Sequence, residues 1–328
     1  MSEITPEPIL QVATGFLAAK YLFVASEVGL FECLADGAAT LDAIARRTKV
    51  PPRTLRIVID AMVALGLVER RGNQYQNAPA AGTFLSGRTP TDLRPFLWLW
   101  NRVSYPRWMR LEEAVKTDTI VYGEFSPEEQ RLYSDGVEAV TRGTALAVAA
   151  TYDFSQHRRV LDLGGGTGSF LTEVLSQYDR VEATLYELPA VAATTRRRLN
   201  VGRFADRLRI VPGDFFKDPI PDGHDAVIIA NVVHCFPRAP VLELLRRTRQ
   251  QVAAGARLLL VDFWTDETHT HPTFAALMAG EFLLTPGGGD VYSAEEARDW
   301  LQETGWRQLD FRPLAGPASL IVATAVTS

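Results

Sequence analysis

The glycine-rich run RVLDLGGGTGSFLTEVL constrains the fold more than any other part of the sequence. Residues 160–163 read as a short buried strand, and a helix is predicted to begin at Ser169. Between these two elements lies a tight turn formed by Gly164, Gly165, Gly166 and Gly168. Such a turn brings backbone N–H groups and a helix N-terminus against a ligand, with no side chains in the way. The run therefore predicts a ligand-binding loop at the edge of an α/β sheet.

The next predicted strand, ATLYEL (residues 183–188), has an acid near its end. Glu187 stands where an acid can bind both hydroxyls of a ribose. A dinucleotide site has the spacing G-x-G-x-x-G, whereas Gly164, Gly166 and Gly168 give G-x-G-x-G, with Asp162 two residues earlier. This form resembles the cofactor loop of S-adenosylmethionine-dependent methyltransferases, so the sequence favours a nucleoside cofactor other than NAD.

The composition argues against several classes of protein. A chain of 328 residues with 47% hydrophobic content is long enough for two domains with cores. The formal net charge of −5 argues against nucleic acid as a partner, because phosphate binding needs a basic face. The two cysteines, Cys33 and Cys235, lie in apolar surroundings, so we expect no disulfide framework and a cytoplasmic protein.

The N-terminal segment MSEITPEPIL has acids and prolines where a secretory signal would have Lys or Arg. The apolar stretch that follows, residues 9–34, is interrupted by Gln11, Lys20, Glu27 and Glu32. We therefore predict a buried or interface pair of helices there and no membrane span.

Residues 1–99 are predicted to form a mainly α-helical domain with a winged-helix outline. TLDAIARRTKV and PPRTLRIVIDAMVALGL read as two helices with apolar stripes, and LVERRGNQYQN reads as two short strands around Gly72. DNA binding would require a basic second helix, but Arg53 and Arg56 are its only cations. We therefore expect this domain to serve dimerisation and closure of an active site.

Residues 100–155 are predicted to be a helical connector that is rich in aromatic side chains. Aromatic residues at helical spacing usually belong to a core, but a connector next to a cofactor domain can also use them to stack on a planar substrate. Trp108 and Tyr133 are the two residues of this segment that we predict to line a substrate pocket.

Strands and helices alternate over residues 156–328 as in a doubly wound sheet. The predicted strands are RVLDLG, EATLYEL, LRIVPGD, DAVIIANVV and ARLLLVDF, followed by WRQLDFRPL and SLIVATAV as an antiparallel hairpin at the edge. The expected fold is therefore a Rossmann-like seven-stranded α/β domain. Ligands of such sheets bind beyond the carboxyl ends of the strands, where the sequence has Glu187, Asp214, His234 and Asp262.

Four further segments resemble a known family, the S-adenosylmethionine-dependent class I O-methyltransferases of the caffeic-acid and hydroxyindole type. These segments are LYELPAV (185–191), GDFF (213–216), IIANVVHCF (228–236) and TPGGGDVYSAEEARDWLQETGW (285–306). The resemblance covers essentially the whole chain, including the N-terminal dimerisation domain. It implies a homodimer that methylates a hydroxyl of a small aromatic, phenolic metabolite in bacterial secondary metabolism, such as antibiotic biosynthesis.

The resemblance also implies roles for individual positions. His234 would be the general base that removes the proton of a substrate hydroxyl, with Asp262 and Asp290 as its flanking acids. The implied cofactor-binding residues are Asp162, Gly164, Gly166, Gly168, Glu187, Asp214, Phe215, Phe216 and Asn231. The expected substrate pocket contains Trp108, Tyr133, Phe263, Met278 and Phe282. An imidazole with a pKa of about 6.5 can accept the proton of a phenol during attack, and a carboxylate on its other nitrogen fixes the tautomer.

Some positions depart from the family pattern. Cys235 follows the predicted base where the family has Asp, Ala230 stands where a Lys is common, and Asp262 and Asp290 replace longer Glu residues. These departures keep methylation of a ring carbon or nitrogen open as an alternative.

Two other classes are weighed against the enzyme. A winged-helix regulator that binds a ligand without chemistry would need a basic recognition helix, and an NAD-linked oxidoreductase would need the dinucleotide spacing of glycines. A metal site is not predicted, because the pair His269 and His271 lacks a third ligand in pattern.

Overall fold

The computed structural model describes residues 4–199, 203–314 and 316–327, which divide into two compact units. The first unit runs to Pro106 and also contains Ser126–Val140. The second unit contains Arg107–Phe125 and the chain from Thr141 onward. The segment predicted as a connector, residues 100–155, therefore contributes to both units, and the predicted boundaries themselves stay predictions.

The first unit is built mainly from helices. Its helices are α1 (Glu7–Glu27), α2 (Leu30–Cys33), α3 (Leu41–Thr48), α4 (Pro52–Ala64), α5 (Pro79–Phe84) and α6 (Arg94–Leu99). Strands β1 (Ala39–Thr40), β2 (Val68–Arg71) and β3 (Gln74–Asn77) form a small antiparallel sheet in the order β1-β3-β2. Helix α4 starts with Pro52 at its first turn, where the missing N–H removes no hydrogen bond. The predicted pair of helices and the two strands after it are thus present.

Four helices follow along the chain: α7 (Tyr105–Trp108), α8 (Leu111–Thr117), α9 (Pro127–Thr151) and α10 (Ser169–Gln177). Of these, α7 and α9 each contain residues of both units. The remaining helices belong to the second unit: α11 (Pro189–Arg198), α12 (Arg238–Gln250), α13 (Thr273–Leu283) and α14 (Ala294–Glu303).

The described residues of the second unit form a seven-stranded sheet in the order β6-β5-β4-β7-β8-β10-β9. Its strands are β4 (Arg159–Leu163), β5 (Glu182–Glu187), β6 (Leu208–Pro212), β7 (Ala226–Ala230), β8 (Arg257–Asp262), β9 (Trp306–Pro313) and β10 (Ser319–Ala325). Strands β6, β5, β4, β7 and β8 are parallel, and β10 pairs antiparallel with both β8 and β9. The seven predicted strands and the antiparallel hairpin at the edge are confirmed.

The central strands are buried along their length, as expected when helices cover both faces of a parallel sheet. Every residue of β7 is buried, and in β8 all but Arg257 are buried. Because β4, β5, β7 and β8 are parallel, their carboxyl ends lie at one edge of the sheet. Polar residues that follow these strands are therefore brought to a common place, although they are far apart in sequence.

Helix α1 has an apolar surface that the first unit does not cover. Its exposed apolar side chains include Ile9, Leu10, Val12, Phe16 and Leu17. By length and composition alone the helix is long enough to cross a membrane, a test that core helices of soluble proteins also pass. An exposed apolar patch of this kind marks a surface that another molecule covers.

Candidate active site

The glycine turn after β4 adopts backbone conformations that require glycine. The φ angles of Gly164, Gly166 and Gly168 are 72°, 52° and 87°, in the left-handed region that other residues seldom adopt. A Cβ on Gly164 would lie 2.8 Å from Val232 Cγ2, and one on Gly168 would lie 2.9 Å from a methyl group of Leu199. The turn therefore packs closely against its surroundings and leaves backbone N–H groups at the start of α10.

Glu187, at the end of β5, is hydrogen-bonded to this turn. Its Oε2 accepts the Gly166 N–H at 3.0 Å, and its Oε1 accepts the Leu188 N–H at 2.7 Å. Burial raises the pKa of this carboxyl, although the two N–H donors act in the opposite direction. The side chain is thus held beside the turn, where it can accept further hydrogen bonds.

Asp162 lies beneath the turn, inside β4, and is fully buried. Neither of its carboxylate oxygens has a hydrogen-bond partner among the described residues. Burial, reinforced by the charge of Glu187, raises the pKa of Asp162 to about 8. Burying an acid without a hydrogen-bond donor costs free energy unless a ligand supplies the donor. Asp162 is therefore a candidate to interact with a ligand bound at the glycine turn.

The segment after β6 places an acid and two aromatic rings near the same edge. Phe215 approaches the turn, because its ring lies 3.6 Å from the Cβ position of Gly164. The Asp214 carboxylate accepts the Phe216 N–H at 2.9 Å and pairs with the Lys217 ammonium at 2.9 Å. Burial would raise the pKa of Asp214, but these donors outweigh it and lower the pKa.

Asn231, directly after β7, has a φ of 55°, which Asn tolerates better than most residues. Its N–H donates to Val261 O at 2.8 Å, and its carbonyl accepts the Cys235 thiol at 3.7 Å. The bend at Asn231 leads the chain from β7 into the short helical turn Val233–Cys235.

His234 and Asp262 form a buried pair at the carboxyl ends of β7 and β8. The two atoms His234 Nδ1 and Asp262 Oδ1 are 2.5 Å apart, and the residues are only 4% and 2% exposed. The second carboxylate oxygen accepts the His234 backbone N–H at 3.2 Å. Two contacts from one carboxylate therefore fix both the ring and the backbone of the histidine.

The charge of this pair sets the protonation of the imidazole. Burial alone would lower the pKa of His234, but the Asp262 carboxylate and the neighbouring Cys235 outweigh burial and raise the pKa to about 10. With Nδ1–H directed at Asp262, the neutral ring presents Nε2 as a proton acceptor.

Aromatic and aliphatic side chains of α13 pack against this pair. The rings of His234 and Phe282 are stacked with centroids 3.8 Å apart, and Phe263 lies 5.7 Å from the histidine ring. Met278 and Phe263 pack on the same small apolar cluster as Phe282. Three of the predicted pocket residues are thus brought together near His234. Tyr133 belongs to the first unit.

Trp108 is held on α13 by a contact that the sequence did not predict. Its Nε1–H donates to Glu281 Oε2 at 2.5 Å, and its ring lies 3.0 Å from the Cβ position of Gly280. Glu281 is itself buried, at 8% exposure. In sequence, a buried acid one residue before Phe282 is not distinguishable from an ordinary helix-surface glutamate.

The loop after α13 also contributes residues that were not predicted. A Cβ on Gly289 would lie 1.8 Å from His234 O, and one on Gly287 would lie 2.3 Å from Cys235 O. Only glycine allows the two backbones to approach so closely. The sequence shows these glycines as the string PGGGD, but it does not show that they pack against the backbone of the predicted base.

Asp290, the residue after Gly289, is exposed, and its Oδ1 accepts the N–H of Val291 at 2.7 Å. In the described part of the chain, no hydrogen bond or ion pair joins its side chain to His234. Its predicted role as a second flanking acid stays a prediction.

These groups fit a cationic nucleoside cofactor. The glycine turn is open at Gly166, where an added Cβ would meet no atom within 4 Å, and the acids Asp162 and Glu187 lie beside the turn with raised pKa values. A metal is a different matter, since no group of three or more His, Cys, Asp or Glu among the described residues could hold one.

Comparison with known proteins gives matches over nearly the whole chain. A family model described as the O-methyltransferase domain matches residues 110–307, and one described as the O-methyltransferase dimerisation domain matches residues 10–87. A 3-hydroxy-5-methyl-1-naphthoate 3-O-methyltransferase of Streptomyces sahachiroi is 30% identical, over 98% of this chain and 95% of the relative. A tetracenomycin polyketide synthesis 8-O-methyl transferase of Streptomyces glaucescens is 29% identical, over 97% of this chain and 96% of the relative.

Among solved structures, human N-acetylserotonin methyltransferase in complex with S-adenosylmethionine superposes with a TM-score of 0.90. The sequence identity is 26%, and the alignment covers 99% of each chain.

Proposed function

Because this chain belongs to the O-methyltransferase family and uses S-adenosylmethionine, we propose that it methylates a hydroxyl of a small aromatic metabolite, with His234 as general base. The observation that supports this role most directly is the 2.5 Å contact between His234 Nδ1 and Asp262 Oδ1. The paired ring is buried, and it keeps Nε2 as its proton-accepting atom.

The residues at the glycine turn are proposed to hold the cofactor, which when bound supplies a methyl group on a positively charged sulfur. Glu187 accepts the ribose hydroxyls, Phe215 lies beside the turn as an apolar wall, and Asp162 faces the site as a buried acid. The other predicted cofactor residues, including Asp214, Phe216 and Asn231, form part of the same proposal.

His234 and Asp262 are proposed to handle the proton of the acceptor. A phenol with a pKa of about 10 is a poor nucleophile at neutral pH, and His234 Nε2 accepts its proton as the oxygen attacks. Asp262 fixes the tautomer and stabilises the imidazolium that forms. The remaining catalysis comes from positioning the acceptor, because methyl transfer is an in-line displacement.

An aromatic acceptor is supported by the side chains near His234. Phe282 and Phe263 provide flat apolar surfaces, and Met278 packs beside them. The bacterial relatives are named for a naphthoate and for a polyketide, both in Streptomyces. We therefore propose a phenolic natural-product intermediate as the substrate and a role in secondary metabolism, with the enzyme in the cytoplasm.

The assembly is proposed to be a homodimer that covers the apolar face of α1. Most of this helix lies within the segment matched by the dimerisation model, and Val12 is 83% exposed in the single chain. Replacing Val12 and Phe16 by Asp should shift the protein from dimer to monomer in analytical ultracentrifugation. A dimer that persists unchanged in this variant would place the interface elsewhere.

Calorimetric titration with S-adenosylhomocysteine and with NAD tests the cofactor assignment. We expect micromolar binding of S-adenosylhomocysteine alone, and loss of that binding in Glu187→Ala. Screening of phenolic acceptors with radiolabelled S-adenosylmethionine then tests the base, because His234→Ala should lower the rate by about 10²–10⁴-fold while it keeps cofactor affinity. Binding of NAD, or full turnover by His234→Ala, would contradict the proposal.

A further inference from the structure

The carboxylate of Asp290 faces a pocket that the proposed reaction does not use. This cavity of about 440 Å³ is lined by Thr265, His269, Ala276, Ala279, Asp290 and Glu296, together with Val291. All of these residues belong to the second unit. Asp290, which the sequence predicts as a flanking acid, thus lines a cavity next to the catalytic residues.

The pocket is close to His234 through the backbone and through α13. Gly289, which precedes Asp290, packs against His234 O, and Val291 belongs to the same apolar cluster as Phe282. Ala276 and Ala279 of α13 line the pocket, and their small side chains leave the space open. A molecule bound near Phe282 is therefore near this cavity as well.

The polar groups of the pocket are mostly acceptors. Asp290 and Glu296 contribute two carboxylates, and His269 is the only basic residue among the described lining. The contact between His269 Nε2 and Glu296 Oε2 is 3.3 Å long. Glu296 Oε2 also accepts the Ser293 N–H at 2.8 Å, which holds the carboxylate in place at the start of α14.

Thr265 is an independent sign of a ligand site. The residue is 4% exposed, and its Oγ1 is buried without a hydrogen-bond partner among the described residues. A buried hydroxyl normally has a partner, so an unpaired one at a cavity indicates a missing polar group. Thr265 also lines the neighbouring cavity that contains Glu295, and the variants below distinguish the two cavities. Two carboxylates and a hydroxyl oxygen together complement a positively charged group that carries an N–H donor.

We propose that this pocket binds the protonated amine of an aromatic acceptor that carries a basic aliphatic nitrogen. The ammonium group lies between Asp290 and Glu296 and donates a hydrogen bond to Thr265 Oγ1. This inference rests on the proposed methyltransferase function, and it assigns Asp290 to substrate recognition in place of the flanking role predicted from sequence. A metal ion is not favoured, because the described residues provide no set of three or more ligands for one.

Two phenols that differ in one atom test the proposal. The probes are 4-(dimethylaminomethyl)phenol, which is protonated at pH 7, and 4-isobutylphenol, its neutral carbon isostere. Both are titrated calorimetrically into the full-length protein saturated with S-adenosylhomocysteine. We expect the amine to bind about ten-fold more tightly, since hydrogen bonds to charged groups are worth at least that factor.

Variants locate the preference. Glu296→Gln keeps a side chain that can cap α14, and Thr265→Val keeps the volume of the threonine. In each variant the affinity ratio of the amine to 4-isobutylphenol should fall from ten toward one. The affinity for 4-isobutylphenol itself should not change. Glu295→Gln is the matched control, because Glu295 lines a different cavity and should leave the ratio intact. Melting temperatures by circular dichroism confirm that each variant is folded.

The outcomes separate the two hypotheses. Equal affinity for both phenols in the unchanged protein, or a ratio insensitive to Glu296→Gln and Thr265→Val, overturns the amine site. Loss of the amine preference with intact S-adenosylhomocysteine binding leaves the methyltransferase proposal standing. Absence of S-adenosylhomocysteine binding and of methyl transfer to any phenol overturns the proposed function itself.

Discussion

Replacing Asp262 by Asn should make the imidazole of His234 much less basic. Asp262 Oδ1 lies 2.5 Å from His234 Nδ1, and the same carboxylate accepts the His234 backbone N–H at 3.2 Å. Asn has the same shape and keeps one oxygen as an acceptor, so the backbone contact can persist. The substitution mainly removes the negative charge.

The size of the effect follows from the opposing contributions to the pKa. Burial lowers the pKa of His234, and Asp262 is the main group that raises it, to about 10 against a usual value of 6.5. Without the carboxylate charge the pKa should fall by several units toward its usual value, which corresponds to a loss of up to about 5 kcal/mol in stabilisation of the imidazolium. In cofactor-free protein Asp262 therefore shifts the ring toward its protonated form, and Asn shifts it toward the neutral form.

The assay is an NMR titration of cofactor-free protein labelled with ¹³C at its five histidines. The resonance of His234 is assigned by its absence in His234→Gln. We expect it to titrate near pH 10 in the unchanged protein and several pH units lower in Asp262→Asn. Methyl transfer by the variant should also fall by about 10²–10⁴-fold, because Asn no longer fixes the tautomer that presents Nε2 and no longer stabilises the imidazolium that forms. An unchanged titration of His234 in Asp262→Asn would refute the reasoning.

Three other substitutions test the packing and the charges. Gly289→Ala should prevent the close approach to His234 O and abolish methyl transfer. Gly143→Ala is the control: its Cβ meets no atom within 4 Å, so activity should be unchanged and the melting temperature should rise slightly, because Ala favours the interior of α9 by about 1 kcal/mol. Asp162 ionises near pH 4 when unfolded but near pH 8 when folded, so its contribution to the free energy of unfolding falls by up to about 6 kcal/mol as the pH rises between these values. The melting temperature should therefore decrease less between pH 5 and pH 8 in Asp162→Asn than in the unchanged protein. An equal decrease in the two proteins would contradict the raised pKa of Asp162. Trp108→Phe removes an indole donor to a buried carboxylate, and we expect a loss of about 1.5–3 kcal/mol in urea unfolding, with no loss if the contact is absent.

The sheet could be predicted because its information is local. Each strand is a short apolar run bounded by glycine, proline or charged residues, and the parallel order follows from the helices between the strands. The close contact between His234 and Asp262 also follows from local information, since His234 lies shortly after β7 and Asp262 ends the neighbouring parallel strand β8. Strand ends are thus positions at which the amino-acid sequence by itself can indicate a site.

Other parts of the site depend on side-chain direction, which the sequence does not encode locally. The resemblance predicts Asp290 as a flanking acid, and the structure adds that Asp290 lines a cavity together with residues of α13 and α14. The sequence predicts an exposed helix residue at Glu281, whereas in the structure Glu281 accepts a hydrogen bond from Trp108. Gly289 reads as a turn residue, and only the packed fold brings it against His234 O. In each case the decisive contact joins segments that no periodicity connects.

The charge around the glycine turn gives a physical reason why this fold takes a sulfonium cofactor and not a dinucleotide. A pyrophosphate would bring two negative charges to a turn that has the buried acid Asp162 beneath it, without a hydrogen-bond partner among the described residues. Burial without a cation raises the pKa of both Asp162 and Glu187, so each is poised to be stabilised by positive charge. S-adenosylmethionine has two positive groups, its sulfonium and its ammonium, whereas S-adenosylhomocysteine lacks the first. If these charges govern cofactor choice, the affinity for S-adenosylmethionine should rise with pH up to about 8 as Asp162 ionises, and this rise should vanish in Asp162→Asn.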